Sequence, residues 1–258
     1  MCLIVVAWQT DPEFDLIVAA NRDEFHDRPA RSAYWWPSVP GLFAGQDCVA
    51  GGAWCGAGHD GRFAAVTNVR DTAAPMGRRS RGGLVRDYFI NDLDAGSWAS
   101  RVQASGNEYA PFNLLIGDRR GLYFVSNRDE TPPRRLPSGI WAISNGHWGQ
   151  RWPKTERATA AMDHALKADR HDPESLLALL YDDRPAPEAE LPDTGIDRTR
   201  ERFLSSIFIR SPQYGTRAAT VIRRRPDRSV EFTEQGFDRT GQPVHRVQQT
   251  WLIETCST

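Results

Sequence analysis

Paired cysteines, histidine clusters and long apolar runs are all missing from this sequence. Only four of its 258 residues are cysteines, none in C-x-x-C spacing, which argues against a structural zinc site. No apolar run approaches the roughly 18 residues that a membrane-spanning helix needs, and the first residues lack the basic segment of a signal peptide. We therefore predict a cytoplasmic protein with reduced thiols and no integral membrane segment.

An excess of charge of either sign is also missing. The chain has 32 basic and 33 acidic residues, a net charge of −1, so no overall field favours nucleic acid. The apolar content of 40% and charged content of 25% are typical of globular proteins. No break in composition divides the chain, and we predict a single domain over residues 1–258.

The most informative residue that is present is Cys2. It follows the initiator Met1 and opens the apolar run 2–8. Aminopeptidases remove Met1 when the second residue is small, which would leave a thiol and a free amine on one residue. An α-amine with a pKa near ~8 can take the proton of a thiol with a pKa near ~8.5, and so activate a nucleophile. The alternative is that Cys2 is only a small buried side chain in a strand.

The pattern of apolar segments predicts an α+β protein with two antiparallel sheets and helices outside them, because strands and helices alternate in groups rather than singly. A long ordered loop is predicted over 21–40 and a mobile, charged loop over 182–199. Helices are predicted over 80–91, 94–102, 153–169 and 173–181. Strands are predicted over 2–8, 14–20, 41–45, 51–56, 62–70, 113–117, 122–125, 140–143, 206–209, 218–222, 229–233 and 250–253.

Polar groups follow several of these strands directly. They are Asn21-Arg22-Asp23-Glu24, Asn68 to Asp71, Ser144-Asn145-Gly146 and Tyr214-Gly215-Thr216-Arg217. A carboxylate there could orient an α-ammonium, an arginine could bind an anion, and an Asn amide could stabilise an oxyanion. Each could instead be a solvated turn, but four such ends together with Cys2 favour one shared site. The four residues of the first of these segments recur at Asn127-Arg128-Asp129-Glu130. We interpret this second copy as a hairpin turn and its similarity to the first as coincidental.

These segments together resemble the NRDE family of transport and Golgi organisation type proteins, in order from Met1 to about Val221. The resemblance rests on Met1-Cys2, Asn21-Arg22-Asp23-Glu24, Gly51-Gly52-Ala53-Trp54, the run 61–70, Ser80-Arg81-Gly82, Asn113-Leu114-Leu115, Ser144-Asn145-Gly146, Trp152-Pro153-Lys154 and Gly215-Thr216-Arg217.

The resemblance implies an Ntn-hydrolase-like αββα sandwich with a site for amide or acyl bonds. In it Cys2 would be the nucleophile and Asp23 the carboxylate that orients its amine. Asn68 and Asn145 would stabilise the oxyanion, and Arg217 would be a charge partner. Substrate contacts are predicted for Asn21, Arg22, Arg70, Trp54 and His147.

Arg22 departs from the pattern of the related amidohydrolases, which place an arginine two residues before the corresponding Asn. Arg22 instead follows Asn21 directly. In an extended chain an odd offset turns the side chain to the opposite face of the sheet. We therefore expect Arg22 to differ in role from the amidohydrolase arginine.

Two functions of different classes follow from the resemblance. The first is an Ntn-type cysteine hydrolase or acyltransferase acting on an amide, acyl or thioester bond. The second is a carrier that binds haem or an acyl-lipid without turning it over, with His26, His59 and His147 as candidate iron ligands. No resident cofactor is predicted, and the expected partner is a small amide, acyl or haem-like molecule. The oligomeric state is left open.

Overall fold

The computed structural model describes residues 2–71, 73–74, 77–226 and 229–253, so Met1 and Cys256 lie outside the described residues. Its strands are β1 (Cys2–Trp8), β2 (Leu16–Phe25), β3 (Ala30–Trp35), β4 (Leu42–Asp47), β5 (Cys55–Gly58), β6 (Phe63–Asn68), β7 (Phe112–Gly117), β8 (Leu122–Ser126), β9 (Arg134–Leu136), β10 (Gly139–Ile143), β11 (Tyr214–Arg224), β12 (Ser229–Phe237) and β13 (Pro243–Leu252). Its α-helices are α1 (Gly82–Ile90), α2 (Ala95–Ala104), α3 (Pro153–Lys167), α4 (Pro173–Ala178) and α5 (Arg198–Phe203).

The strands form two antiparallel sheets. The first sheet has the order β10-β1-β2-β11-β12-β13, and the second runs from β3 to β9 in chain order. β1 shows why its residues form a central strand, because both of its faces are buried. Ile4, Val6 and Trp8 pack between the sheets, whereas Leu3 and Val5 pack towards helices on the other side.

Helices cover the outer face of each sheet. α3 and α4 pack on the first sheet, where Met162 and Leu176 contribute to its outer core. α1 and α2 pack on the second sheet through residues such as Tyr88 and Trp98. The resulting order of helix, sheet, sheet and helix confirms the predicted α+β class and four-layer arrangement. None of the described helices has the length and apolar character that crossing a membrane requires.

The predicted loop over 21–40 is wrong. β2 continues through the polar residues to Phe25, and β3 forms at Ala30–Trp35. The sequence pattern does not predict a strand at these polar residues, because the strand is stabilised by segments that lie beside it in space and not by its own apolar pattern. Their backbone pairs with β1 on one side and with β11 on the other, and the side chains of Asn21, Arg22 and Asp23 are buried.

The predictions for 182–199 and 206–209 also need correction. Residues 182–199 include a 3-10 turn at Glu188–Glu190 and the start of α5, which Asp197 caps by accepting a hydrogen bond from the Arg200 backbone. Residues 206–209 are buried but form no strand. Both edges of β11 are already paired, with β2 and with β12, so residues 206–209 cannot pair with it as a further strand. The Ile209 backbone amide instead donates a hydrogen bond of 2.9 Å to the Thr216 hydroxyl.

The interpretation of Asn127-Arg128-Asp129-Glu130 as a hairpin turn agrees with the structure. The segment connects the antiparallel strands β8 and β9. The Asn127 amide group accepts a hydrogen bond from the Phe112 backbone and donates to the Tyr109 carbonyl. Its role is to hold the chain that leads into β7.

A buried carboxyl group joins the two sheets. Glu234 of β12 is 1% exposed, and its Oε1 accepts a hydrogen bond of 2.8 Å from the Ala33 backbone in β3. Its Oε2 has no hydrogen-bond partner among the described residues. Burial raises the pKa of Glu234 to about 7, against the lowering effect of the Ala33 amide and of Arg22. The folded protein therefore holds this proton to a higher pH than the unfolded chain does.

This difference predicts a pH-dependent stability. The free energy of unfolding should fall by on the order of 3 kcal/mol as the pH rises from about 4.5 to about 7, since a raised carboxyl pKa favours folding only while the proton is bound. Glu234→Gln should remove that part of the fall, measured by urea unfolding at a series of pH values. Glu130→Gln, at an exposed glutamate, should give a curve parallel to the parent. A constant offset between parent and Glu234→Gln at every pH would contradict the assignment.

Candidate active site

Cys2 and Arg22 are direct neighbours across the first two strands. Their Cα atoms are partners in the β1–β2 register, so both side chains lie on the face between the sheets. Asn21 points to the opposite, helix-covered face, as the odd offset from Arg22 predicts. The face that Arg22 takes is thus the one that holds the thiol.

Arg22 forms one wall of the site. It is only 5% exposed, its guanidinium lies 4.7 Å from the centre of the Trp54 ring, and its Nη2 is 3.5 Å from Asp47 Oδ2. Stacking on an aromatic ring and pairing with a carboxylate fix the position of the guanidinium. Of the predicted substrate contacts, Arg22 and Trp54 are the two that the structure brings to Cys2.

The Cys2 thiol is held in its neutral form by its surroundings. Burial raises its pKa, and the negative charge of Asp23 acts in the same direction. The positive charge of the chain's amino terminus, the Arg22 charge and a hydrogen bond from the Asp23 backbone amide act in the opposite direction and favour the thiolate. The effect of burial exceeds these opposing effects, and a further lowering of the pKa would make this sulfur a better nucleophile at neutral pH.

Asp23 lies at the end of the site near the start of β1, on the helix-covered side. Its Oδ1 accepts a hydrogen bond of 2.7 Å from the Thr216 hydroxyl, and its backbone carbonyl accepts one of 3.0 Å from the Tyr214 hydroxyl. Burial raises the pKa of the carboxyl group, opposed among others by the positive charge of Lys154. The carboxyl group is thus fixed next to the residue that bears the thiol.

Lys154 is a site residue to which the sequence analysis gave no role, although the Trp152-Pro153-Lys154 segment was part of the resemblance. It lies in the first turn of α3, is 1% exposed, and donates a hydrogen bond of 3.1 Å to the Leu204 carbonyl. Burial lowers its pKa to about 8, and the negative charge of Asp23 opposes that shift. A buried lysine beside a buried carboxyl group is a recurrent sign of a functional site.

Asn68 and Asn145 meet at the site but play different parts. Asn68 ends β6 and lines the cavity beside Cys2, and its side chain has no hydrogen-bond partner among the described residues. The Asn145 amide instead donates a hydrogen bond of 2.8 Å to the Asn68 carbonyl, and its oxygen lies 3.1 Å from the Ser144 hydroxyl oxygen. Asn68 therefore contributes to the lining of the cavity, whereas Asn145 holds the Asn68 backbone in position.

Segment 144–146 links the two sheets at this edge. It follows β10 of the first sheet, and the Ser144 hydroxyl donates to the Cys2 carbonyl at 3.0 Å. From the second sheet, Thr67 and Asn113 donate to the Ser144 carbonyl at 2.5 and 3.2 Å. The Arg70 backbone amide donates to the Asn145 carbonyl at 2.7 Å. These bonds satisfy buried polar groups and fix the start of β1 against the end of β6.

Four predicted site residues lie elsewhere. Asn21 donates to the Leu180 and Ile207 carbonyls on the helix-covered side, and Arg70 pairs with Glu201 at 2.5 Å. Arg217 occupies a bulge of β11, and its guanidinium donates to carbonyls of the turn after β2. His147 is exposed in the segment after β10.

A cavity of about 520 Å³ opens above Cys2 between the ends of the sheets. Arginines and small residues dominate its lining. The lining residues are Cys2, Arg22, Asp23, Glu24, Phe25, Arg28, Asp47, Ala50, Gly52, Ala53, Trp54, Val66, Asn68, Gly77, Arg78, Arg79, Ser80, Arg81, Gly82 and Ala110. None of the described side chains forms a cluster of three or more metal-ligating groups, and the histidines offered as iron ligands lie on separate segments.

The influence of Arg22 on the thiol gives a direct prediction. Arg22→Gln should slow alkylation of Cys2 by iodoacetamide at about pH 8 by about tenfold, because loss of an adjacent opposite charge shifts a pKa by about one unit or more. The rate is measured by mass spectrometry of the peptide that contains Cys2. Arg217→Gln, which removes an arginine directed away from the sulfur, should change the rate less than twofold. Equal slowing by both variants would refute a specific role for Arg22.

Comparisons with known proteins agree with the sequence resemblance. A protein from Bos taurus named Transport and Golgi organization protein 2 homolog is 33% identical, over 92% of this chain and 93% of its own length. The Homo sapiens homolog of the same name is 31% identical over the same shares. In structure, an N-acylethanolamine-hydrolyzing acid amidase ortholog from Caenorhabditis elegans has a TM-score of 0.48 and 14% identity, covering 70% of this chain and 86% of its own.

The family model described as Transport and Golgi organisation 2 matches residues 1–239, which include every strand from β1 to β12 and all the residues around Cys2. This chain belongs to the Transport and Golgi organisation 2 family.

Proposed function

We propose that this protein is an N-terminal-nucleophile cysteine hydrolase or acyltransferase that acts on an amide, acyl or thioester bond after removal of Met1. The observation that carries the proposal is the position of Cys2. Cys2 is the cross-strand partner of Arg22, its thiol lies within electrostatic reach of Asp23, and it lines a cavity in which the Asn68 side chain has no hydrogen-bond partner among the described residues.

Removal of Met1 would place the α-amine of the chain on the same residue as the thiol. It would convert the Cys2 backbone nitrogen into an amine beside the buried Asp23 carboxyl group. The ammonium that forms when this amine takes the thiol proton would pair with Asp23 and would stabilise the thiolate, opposing the effect of burial. With Met1 in place the nitrogen of Cys2 belongs to an amide, which cannot accept the thiol proton.

In the proposed reaction, the neutral amine of Cys2 takes the thiol proton and Sγ attacks the acyl carbon. A C–S bond forms, and the carbonyl electron pair moves to the oxygen, which the Asn68 amide stabilises. Collapse breaks the bond to the leaving group, which receives the proton from the ammonium. Water, or an acceptor, then attacks the Cys2 thioester and releases the thiol. Asp23 orients the amine throughout, and Lys154 offsets the charge of that carboxylate.

The first test is the mass and reactivity of the purified chain. We expect the intact mass to show loss of Met1, and iodoacetamide to label Cys2 faster than the exposed Cys48. A matched chain with a residue inserted before Cys2, which blocks the amine, should label at least about tenfold more slowly at the same site. Full retention of Met1, or labelling of Cys2 no faster than Cys48, would overturn the proposal.

The second test separates the roles of the side chains. On a panel of acyl anilides and acyl thioesters, Cys2→Ala should abolish turnover. Asn68→Ala should lower kcat by about 10²–10³ with little change in KM, as expected for loss of an oxyanion donor. Asn127→Ala, which removes a structural asparagine distant from Cys2, is the control for general damage and should keep its kcat within a few-fold. An unchanged kcat in Asn68→Ala would remove Asn68 from the mechanism.

A carrier of haem or an acyl-lipid is the second candidate, and the raised pKa of the half-buried Cys2 thiol favours it. If Met1 is retained, the cavity would bind a ligand without attacking it. Titration with haemin or an acyl-CoA should then show saturable binding that survives Cys2→Ala. Binding no stronger than to an unrelated protein of similar size would exclude this function. The cytoplasmic location predicted from the sequence stays a prediction.

A further inference from the structure

The loop 77–81 forms one rim of the cavity and carries part of the Ser80-Arg81-Gly82 segment, which has no role in the mechanism above. Two close backbone contacts fix its position. A Cβ on Gly77 would lie 2.0 Å from the Ala110 nitrogen, and one on Gly52 would lie 2.5 Å from the Gly82 carbonyl carbon. The Arg79 amide also donates to the Glu108 carbonyl at 3.0 Å. The arginines of this loop are therefore held at the mouth of the site.

The arginines around the cavity differ in their pairing. Arg22 and Arg28 share Asp47, with distances of 3.5 and 2.6 Å. Arg79 pairs with Asp87 and Glu108 on the outer side of the loop. Within the part of the chain that the structure describes, neither Arg78 nor Arg81 has a carboxylate partner. These two residues leave positive charge at the cavity that the described side chains do not neutralise.

Arg81 is the more informative of the two because it is half-buried. Its Nη1 donates a hydrogen bond of 3.0 Å to the Pro111 carbonyl, which fixes the guanidinium but does not neutralise it. Arg81 and Cys2 line the same cavity, burial lowers the pKa of Arg81, and negative charge at Cys2 and Glu24 acts in the opposite direction. Partial burial of a cation without a nearby anion is unfavourable in free energy, and a bound anion would offset that penalty.

We propose that Arg81, assisted by Arg78 at the rim, binds an anionic group of the ligand beside Cys2. This inference rests on the proposed function, and it identifies the substrate class as acyl compounds that carry a carboxylate or a phosphate. Such groups match the planar donors of a guanidinium. Arg81 immediately precedes the first residue of α1, so the positive end of that helix adds to the attraction.

The test compares two alkylating reagents that differ only in charge. Iodoacetate carries a carboxylate where iodoacetamide carries an amide, and both transfer the same carbon to sulfur. The rate with iodoacetate at Cys2 is divided by the rate with iodoacetamide, and this ratio is divided by the same ratio for free N-acetylcysteine amide. The second division removes the difference in intrinsic reactivity between the reagents, so the normalised ratio measures the attraction of the site for the anion. We expect a normalised ratio of about ten or more, falling about fivefold or more in Arg81→Gln. Arg81→Lys should retain part of the preference, and Arg119→Gln, at an exposed arginine, should leave it unchanged.

Competitors and a second variant complete the design. Acetate and inorganic phosphate are added separately at matched ionic strength, and the one that suppresses iodoacetate labelling more identifies the preferred anion. Arg78→Gln, at an exposed position, should lower the normalised ratio less than Arg81→Gln does. If Arg81→Gln misfolds, Arg78→Gln still tests whether arginines of this loop attract the anion. A normalised ratio near one, with rapid labelling by iodoacetamide, would overturn the anion site and leave the nucleophile intact.

If neither reagent labels Cys2, the proposed reaction fails, and the anion site is judged by thermal unfolding. Inorganic phosphate should then raise the Tm of the parent chain more than chloride does at equal ionic strength, and Arg81→Gln should abolish the difference. Equal Tm values in the two salts would overturn the site by this route as well.

Discussion

The register between β1 and β2 is the constraint on which the whole site depends. It places Cys2 opposite Arg22 and brings Asp23 one residue beyond, on the other face of the sheet. A slip of one residue would exchange those faces, directing Asp23 at the cavity and Arg22 into the helices. The apolar residues of β1 fix the register, because both of its faces bury side chains that would be misplaced by any slip.

The site therefore has components on both sides of one sheet. The thiol, Arg22 and Trp54 lie between the sheets, where a ligand can enter. Asp23, Thr216 and Lys154 lie under the helices, where their charges are shielded from water. This division keeps Lys154 buried at the first turn of a helix, while Asp23 also reaches the lining of the cavity beside Cys2.

The sequence was enough to predict the strand β1, the four layers and the convergence of polar strand ends, since apolar runs and their boundaries are local features. It could not predict the side-chain directions that depend on how the strands pair. Arg217 turns away because β11 has a bulge there, and Asn21 because neighbouring residues of a strand alternate in direction. Glu234 and Lys154 are more than a hundred residues from Ala33 and Asp23, and only the assembled sheets and helix α3 bring each of them to its partner.

The link formed by segment 144–146 restricts how the protein can change in evolution or by design. Because hydrogen bonds join the two sheets at the start of β1, the distance between Cys2 and Asn68 cannot widen without breaking several buried bonds at once. The loop 77–81 and the turn before Gly52 carry no part of that link. Replacing these two segments would therefore let the protein bind ligands of other shapes, while the end of the site that holds Cys2 stays unchanged.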